Sequence, residues 1–130
     1  MARSEEELKR RLSGVRWGED LARRLWRRLL GCAVGQGHVA HFHRDYCGHG
    51  LIRTADGVML CGIQDGDWPM LPPIAAWREE AAFVAFFARQ TDLTCAGWDA
   101  AEPVFHTLDP WARANQTLRR EEVLRFVEEG

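Results

Sequence analysis

The sequence predicts an α+β domain: helices at the N-terminus, a three- or four-stranded antiparallel sheet, and two later helices packed on it. Three observations carry this. Leucines recur at helical spacing through the first thirty residues, as Leu21, Leu25 and Leu29 do. Short β-rich runs follow, two of them joined by Ala55-Asp56-Gly57. A strongly apolar run with helical spacing then comes at residues 77–89. At 130 residues the chain is long enough to bury one core, so a single domain over residues 1–130 is expected.

The first element opens on Ser4-Glu5-Glu6-Glu7, where Ser4 can accept a free helix N–H and Glu7 can reach back to it. Leu8, Leu12 and Val15 continue it, and Gly14 and Gly18 predict a break near Trp17-Gly18. A second helix runs from Glu19 with Gly31 as its stop signal. Arg23, Arg24, Arg27 and Arg28 cover the side opposite its leucines, which reads as a solvated basic face or as a contact for nucleic acid or membrane. Residues 1–31 thus form a basic helical segment ahead of an α+β core at 38–128.

Residues 39–43 alternate as a strand, with His41 and His43 on one side and Ala40 and Phe42 on the other. Residues 51–54 and 58–63 are two further strands, joined by a hairpin turn in which Gly57 can adopt positive φ. Residues 64–73, with Asp65, Asp67 and the pair Pro72-Pro73, read as an irregular acidic connection. In the helix at 77–89, Ala81, Val84 and Ala88 mark one stripe, widened by Phe83, Phe86 and Phe87. Residues 98–116 are loop-like, and a last helix at 118–128 buries Val123, Leu124, Phe126 and Val127, with Thr117 as its cap.

Charge is polarised along the chain although the net value is only −2. Residues 1–30 hold nine Lys/Arg against five Asp/Glu, whereas residues 56–109 hold nine acids and two arginines, Arg78 and Arg89. A span of one sign steers oppositely charged partners and argues against nucleic-acid binding by the body of the domain, because phosphates need a basic footprint. No run of 18 apolar residues and no signal-peptide pattern is present, so a cytosolic protein with no membrane contact and with cysteines as free thiols is expected.

The densest polar stretch is 41–51. His38, His41, His43, Cys47 and His49 offer imidazole and thiolate ligands within twelve residues, which suits zinc by residue type but matches no spacing of a structural zinc module. Cys47 beside His43 or His49 could serve as a nucleophile with its base, although no orienting group is identifiable. A hydrolase using His41, His43 and Cys47 is therefore one alternative. The structural alternative is a strand-turn-strand corner: Asp45 caps the turn, Tyr46 packs its ring, and Gly48 and Gly50 permit positive φ. On that reading there is neither cofactor nor catalytic residue. Six tryptophans, several among acids in loops, favour a protein-binding surface. Candidate contacts are Asp56, Asp65, Asp67, Trp68, Asp92, Trp98, Asp99 and Glu102. A regulatory adaptor that touches nucleic acid through Arg23, Arg24, Arg27 and Arg28 is the third class.

Three patches carry a resemblance. They are His43-x-Asp45-Tyr46-Cys47-Gly48-x-Gly50-Leu51, then Phe83-Val84-x-Phe86-x-x-x-Gln90-Thr91-Asp92-Leu93, and Asn115-Gln116-Thr117. Together they resemble small bacterial immunity proteins of contact-dependent and polymorphic toxin systems. The resemblance covers about residues 38–128 and omits the basic N-terminal helices. Phe86-Phe87 stands where such sequences often have Trp-Leu, and Arg119 where the last helix often opens with Thr or Ser. It implies a cytoplasmic protein that binds a cognate toxin stoichiometrically, without turnover, its acidic span filling a basic cleft.

Overall fold

The computed structural model describes residues 12–42, 48–95 and 118–129. Its elements run α1 (Gly18–Leu30), β1 (Gly37–Phe42), β2 (Gly48–Thr54), β3 (Gly57–Gln64), β4 (Asp67–Trp77), α2 (Glu80–Ala88), α3 (Asp92–Cys95) and α4 (Arg120–Glu128). The four strands form one antiparallel meander in the order β1-β2-β3-β4, so the fold is α+β. No helix among the described residues is long and apolar enough to cross a membrane.

The break expected at Trp17-Gly18 is where α1 begins, while Ser4, Glu7 and Leu8 lie outside the described residues. Leu21, Leu25 and Leu29 are buried, and with Ala22 and Trp26 they form the inward stripe of α1. The described part of the basic segment packs on the α+β core: these residues share one cluster with Val39, Leu51, Val58 and Leu60 of the sheet and Phe83, Val84 and Phe87 of α2. An aromatic stack holds this layer together. Trp26 meets Phe83 at 5.0 Å between ring centroids, and Trp77 meets Phe83 at 5.3 Å and Phe87 at 5.1 Å. Such tilted and edge-on pairs add to the area they bury.

The pleat explains the sheet's burial. One rung across it reads Val39, Leu51, Leu60 and Ala75, and its first three members are buried under the helices. Side chains one residue on point to the other face, where Ile52, Cys61 and Ile63 are also buried. Central strands β2 and β3 are thus covered on both sides. Trp68 closes part of the second face by lying on Gly50, where a Cβ would stand 2.3 Å from the indole ring. Gly48 and Gly50 are ordinary strand residues, so the expectation of positive φ there is corrected: Gly50 is required by its contact with Trp68.

The two hairpin turns differ from expectation for separate reasons. Ala55-Asp56 makes the β2–β3 turn, but Gly57 does not take positive φ. It is bare because the Trp77 carbonyl oxygen passes where a Cβ would sit, at 1.8 Å from that position. The stretch at 64–73 is not an irregular connection. Asp65 (φ 52°) and Gly66 (φ 83°) form a two-residue hairpin turn, and β4 follows. Both positive φ values are those of a type I′ turn, whose twist matches the paired strands. The prolines fit because β4 is an edge strand, where a missing N–H need not break a ladder. The peptide bonds Trp68–Pro69 and Leu71–Pro72 are cis.

The apolar run expected as a helix at 77–89 is shared between two elements. Trp77 ends β4 opposite Val58, and α2 starts at Glu80. Its inward stripe is Phe83, Val84 and Phe87; Ala81 faces solvent and Ala88 is half-buried, which corrects the expected alanine stripe. In α4, Val123 is buried while Leu124, Phe126 and Val127 pack partly against the core. The position before α4 is Arg119, and Thr117 lies outside the described residues.

Candidate functional site

Strand β4 carries an apolar surface that the fold leaves partly uncovered. All of its eleven residues except Asp67 are apolar, yet none is buried, whereas β3 beside it is buried at six of its eight positions. The cause lies in the register. Leu60 pairs with Ala75 and Gly62 with Met70, so the single residue Cys61 stands opposite residues 71–74, which form a bulge. Leu71 at the bulge is 67% exposed, the most exposed large apolar side chain among the described residues.

The start of β4 is acidic. Asp65 and Asp67 flank Gly66 on the turn, both are exposed, and neither has an ion pair among the described residues. At the other end of the strand an open groove of about 460 Å³ is lined by Met59, Ala76, Trp77 and Ala82, with Asp56, Arg78 and Glu79 on its rim. There Arg78 and Asp56 form an ion pair, with Nε 3.0 Å from Oδ2.

The expected acidic contacts therefore do not form one patch. Asp56 sits on the β2–β3 turn and Asp65 and Asp67 on the β3–β4 turn, at opposite ends of β3. Eight strand residues separate the two ends by roughly 25 Å at about 3.3 Å per residue. Asp56 is also paired to Arg78. Trp68 is half-buried with its ring on Gly50, so its bulk serves packing. Trp98, Asp99 and Glu102 lie outside the described residues.

Asp92 is corrected most clearly. It is 8% exposed and faces inward, so it is not an available surface contact. One carboxylate oxygen accepts from the Trp17 indole N–H at 3.4 Å and from the backbone N–H of Arg120 at 2.7 Å. It thereby joins the segment before α1 to the first turn of α4, where the exposed N–H groups and helix dipole favour a carboxylate. Flanking residues hold it in place. The Thr91 and Thr94 hydroxyls each accept the other's backbone N–H, at 3.0 and 2.8 Å, which caps α3. Gln90 Nε2 donates to the Phe86 carbonyl at 3.0 Å. The Gln90–Leu93 patch is thus a structural junction.

The histidine-rich stretch yields little geometry for chemistry. His41 occupies the β1 position opposite His49, and His49 is half-buried beside Gly62 of β3. His43 and Cys47 lie outside the described residues. Among the described residues no group of three or more His, Cys, Asp and Glu side chains is placed to hold a metal ion. Of the cysteines described, Cys61 is fully buried and burial pushes its thiol up to about 12, far from a nucleophile's range. Cys95 is raised as well, by burial and by the neighbouring Asp92 charge.

The four arginines of α1 already have partners within the chain. Arg23 pairs with Glu19 and Arg24 with Asp20 along the helix, and Arg27 reaches Glu80 of α2 at 3.1 Å. Arg28 lies over the Phe126 ring and donates to the Phe126 carbonyl. Compared with known proteins, the chain matches no family model, no curated protein and no solved structure.

Proposed function

We propose that this protein is an immunity-type inhibitor that binds a cognate bacterial toxin and covers its active or target-binding surface. The observation that carries the reading is the Asp65-Gly66-Asp67 turn, with two exposed carboxylates that no cation of the described chain neutralises. A toxin acting on nucleic acid needs a basic cleft, and a carboxylate pair fixed on a hairpin is complementary to it. Fixed opposite charge raises the rate of encounter more than it raises final affinity. The resemblance of the three sequence patches to immunity proteins points the same way and fits a cytoplasmic protein, since such an inhibitor would act in that compartment.

The test uses the polypeptide encoded immediately upstream as the partner, with association followed by stopped flow. Asp67→Lys combined with Asp65→Asn should slow association about tenfold at low salt and little at high salt, where charges beyond about one Debye length are screened. Asn is chosen at position 65 because it tolerates the positive φ there. An association rate that is equal in both proteins at low salt would remove electrostatic steering by this turn. No binding to the upstream product would remove the immunity reading.

A further inference from the structure

Resting on that reading, we propose that the outer edge of β4 is the docking surface, with Leu71 as the apolar anchor inserted into a basic protein partner. The partner is held by side-chain packing, not by addition of a strand.

Four observations converge on this edge. First, the run Pro69-Met70-Leu71-Pro72-Pro73 is apolar and nowhere buried, although the adjoining strand is part of the core. Single exposed apolar side chains are ordinary, whereas a contiguous apolar run left uncovered on one edge is the kind of surface that partners cover. Second, three prolines lack the N–H that a new strand would need, so this edge is closed to strand addition. Third, Leu71 lies in the bulge opposite Cys61, is 67% exposed and is followed directly by Pro72-Pro73, which restrict its backbone. An anchor that is already ordered loses little conformational freedom on binding. Fourth, Asp65 and Asp67 lie at the start of the same hairpin arm, which gives the apolar run a charged margin.

The margin identifies the occupant. Edge-to-edge pairing of β4 with a second copy would set the partner copy's Arg78 against these carboxylates, and Arg78 is already paired with Asp56. A partner with Lys or Arg beside an apolar pocket satisfies both features. Apolar anchors seated in a pocket govern dissociation, whereas rim charges govern association.

The experiment measures both rate constants for the upstream-encoded polypeptide against wild-type protein, Leu71→Asp, Leu71→Ser and Leu71→Met. Leu71→Asp and Leu71→Ser should each raise the dissociation rate at least tenfold with the association rate within about twofold, and Leu71→Met should match wild type. Circular dichroism and melting curves check folding, and Leu71→Ser preserves the test if the charged variant folds poorly. If wild type and Leu71→Ser bind alike, the docking surface is wrong while the immunity reading stands. If the wild-type protein does not bind the upstream product, both fall. If sedimentation shows a wild-type dimer that Leu71→Asp dissociates, the edge serves a second copy and the proposal is overturned.

Discussion

Replacing Gly57 by alanine should destabilise the protein through one atom. The added Cβ would stand 1.8 Å from the Trp77 carbonyl oxygen, 2.9 Å from the Trp77 carbonyl carbon and 3.0 Å from the Arg78 Cα. All three are backbone atoms, so no side chain can rotate away. To regain ordinary contact at 3.4 Å the two strands must separate by roughly 1.6 Å at that point. The Val58↔Trp77 pair adjoins it, and Trp77 carries ring contacts to Phe83, Phe86 and Phe87, so the displacement is felt in the aromatic layer. Overpacking of a rigid site costs about 1–3 kcal/mol and sometimes more. The entropic advantage of alanine over glycine offsets only about 0.5–1 kcal/mol. A clash with rigid backbone puts the cost at the upper end of that range, so the net expectation is a loss of about 2 kcal/mol, or roughly 6–10 °C in Tm for a chain of this size. Gly14 is the control: a Cβ there meets nothing within 4 Å and its φ is not positive, so Gly14→Ala should lie within about 0.5 kcal/mol of wild type. Urea unfolding followed by far-UV circular dichroism measures both. A Gly57→Ala protein as stable as Gly14→Ala would refute the close approach of β4 to the turn.

Two further expectations concern buried polar atoms. Asp92→Ala should cost about 1–3 kcal/mol, because the Trp17 indole N–H and the Arg120 backbone N–H lose their acceptor, and Asp92→Asn should cost less because a carbonyl oxygen remains. Urea midpoints for the three proteins check the order. Cys61 has a folded-state pKa near 12 against 9.0 unfolded, so the folded state holds its proton longer; its contribution to stability is complete below pH 9 and is lost as pH rises from 9 towards 12. Urea midpoints between pH 8 and 11 should fall more steeply for wild type than for Cys61→Ala, and parallel slopes would contradict the burial of this thiol.

The helices and the central strands are legible in the sequence because periodicity reports which side of an element is buried. Leu21, Leu25 and Leu29 stand on one stripe of α1 and are buried as spaced. Where two signals compete, periodicity does not choose between them. Asp65-Gly66 carries a hairpin signal, but the prolines that follow argue against a strand unless that strand is at an edge, and edge position is a property of the whole sheet. The outer surface of β4 is hidden from the residue pattern for this reason. The alanines of α2 suggest a stripe of their own, yet the bulkier Phe83 and Phe87 bury far more surface and set the helix orientation. Asp92 reads as an exposed acid because its two donors, on Trp17 and Arg120, are remote in sequence. Gly57 reads as a conformational need when it is a spatial one.

The meander has a consequence for how the chain assembles. The β2–β3 and β3–β4 pairings each need only a two-residue turn, and the β1–β2 pairing a connection of five residues, so the sheet can zip up at small loop-closure cost. The helices have no such local partner. The contact between Trp17 and Asp92 spans 75 positions, and Arg120 lies a further 28 beyond Asp92. Docking the two helical ends of the chain closes the longest loops, and the Asp92 carboxylate is one point where those ends meet, the Arg28–Phe126 contact being another.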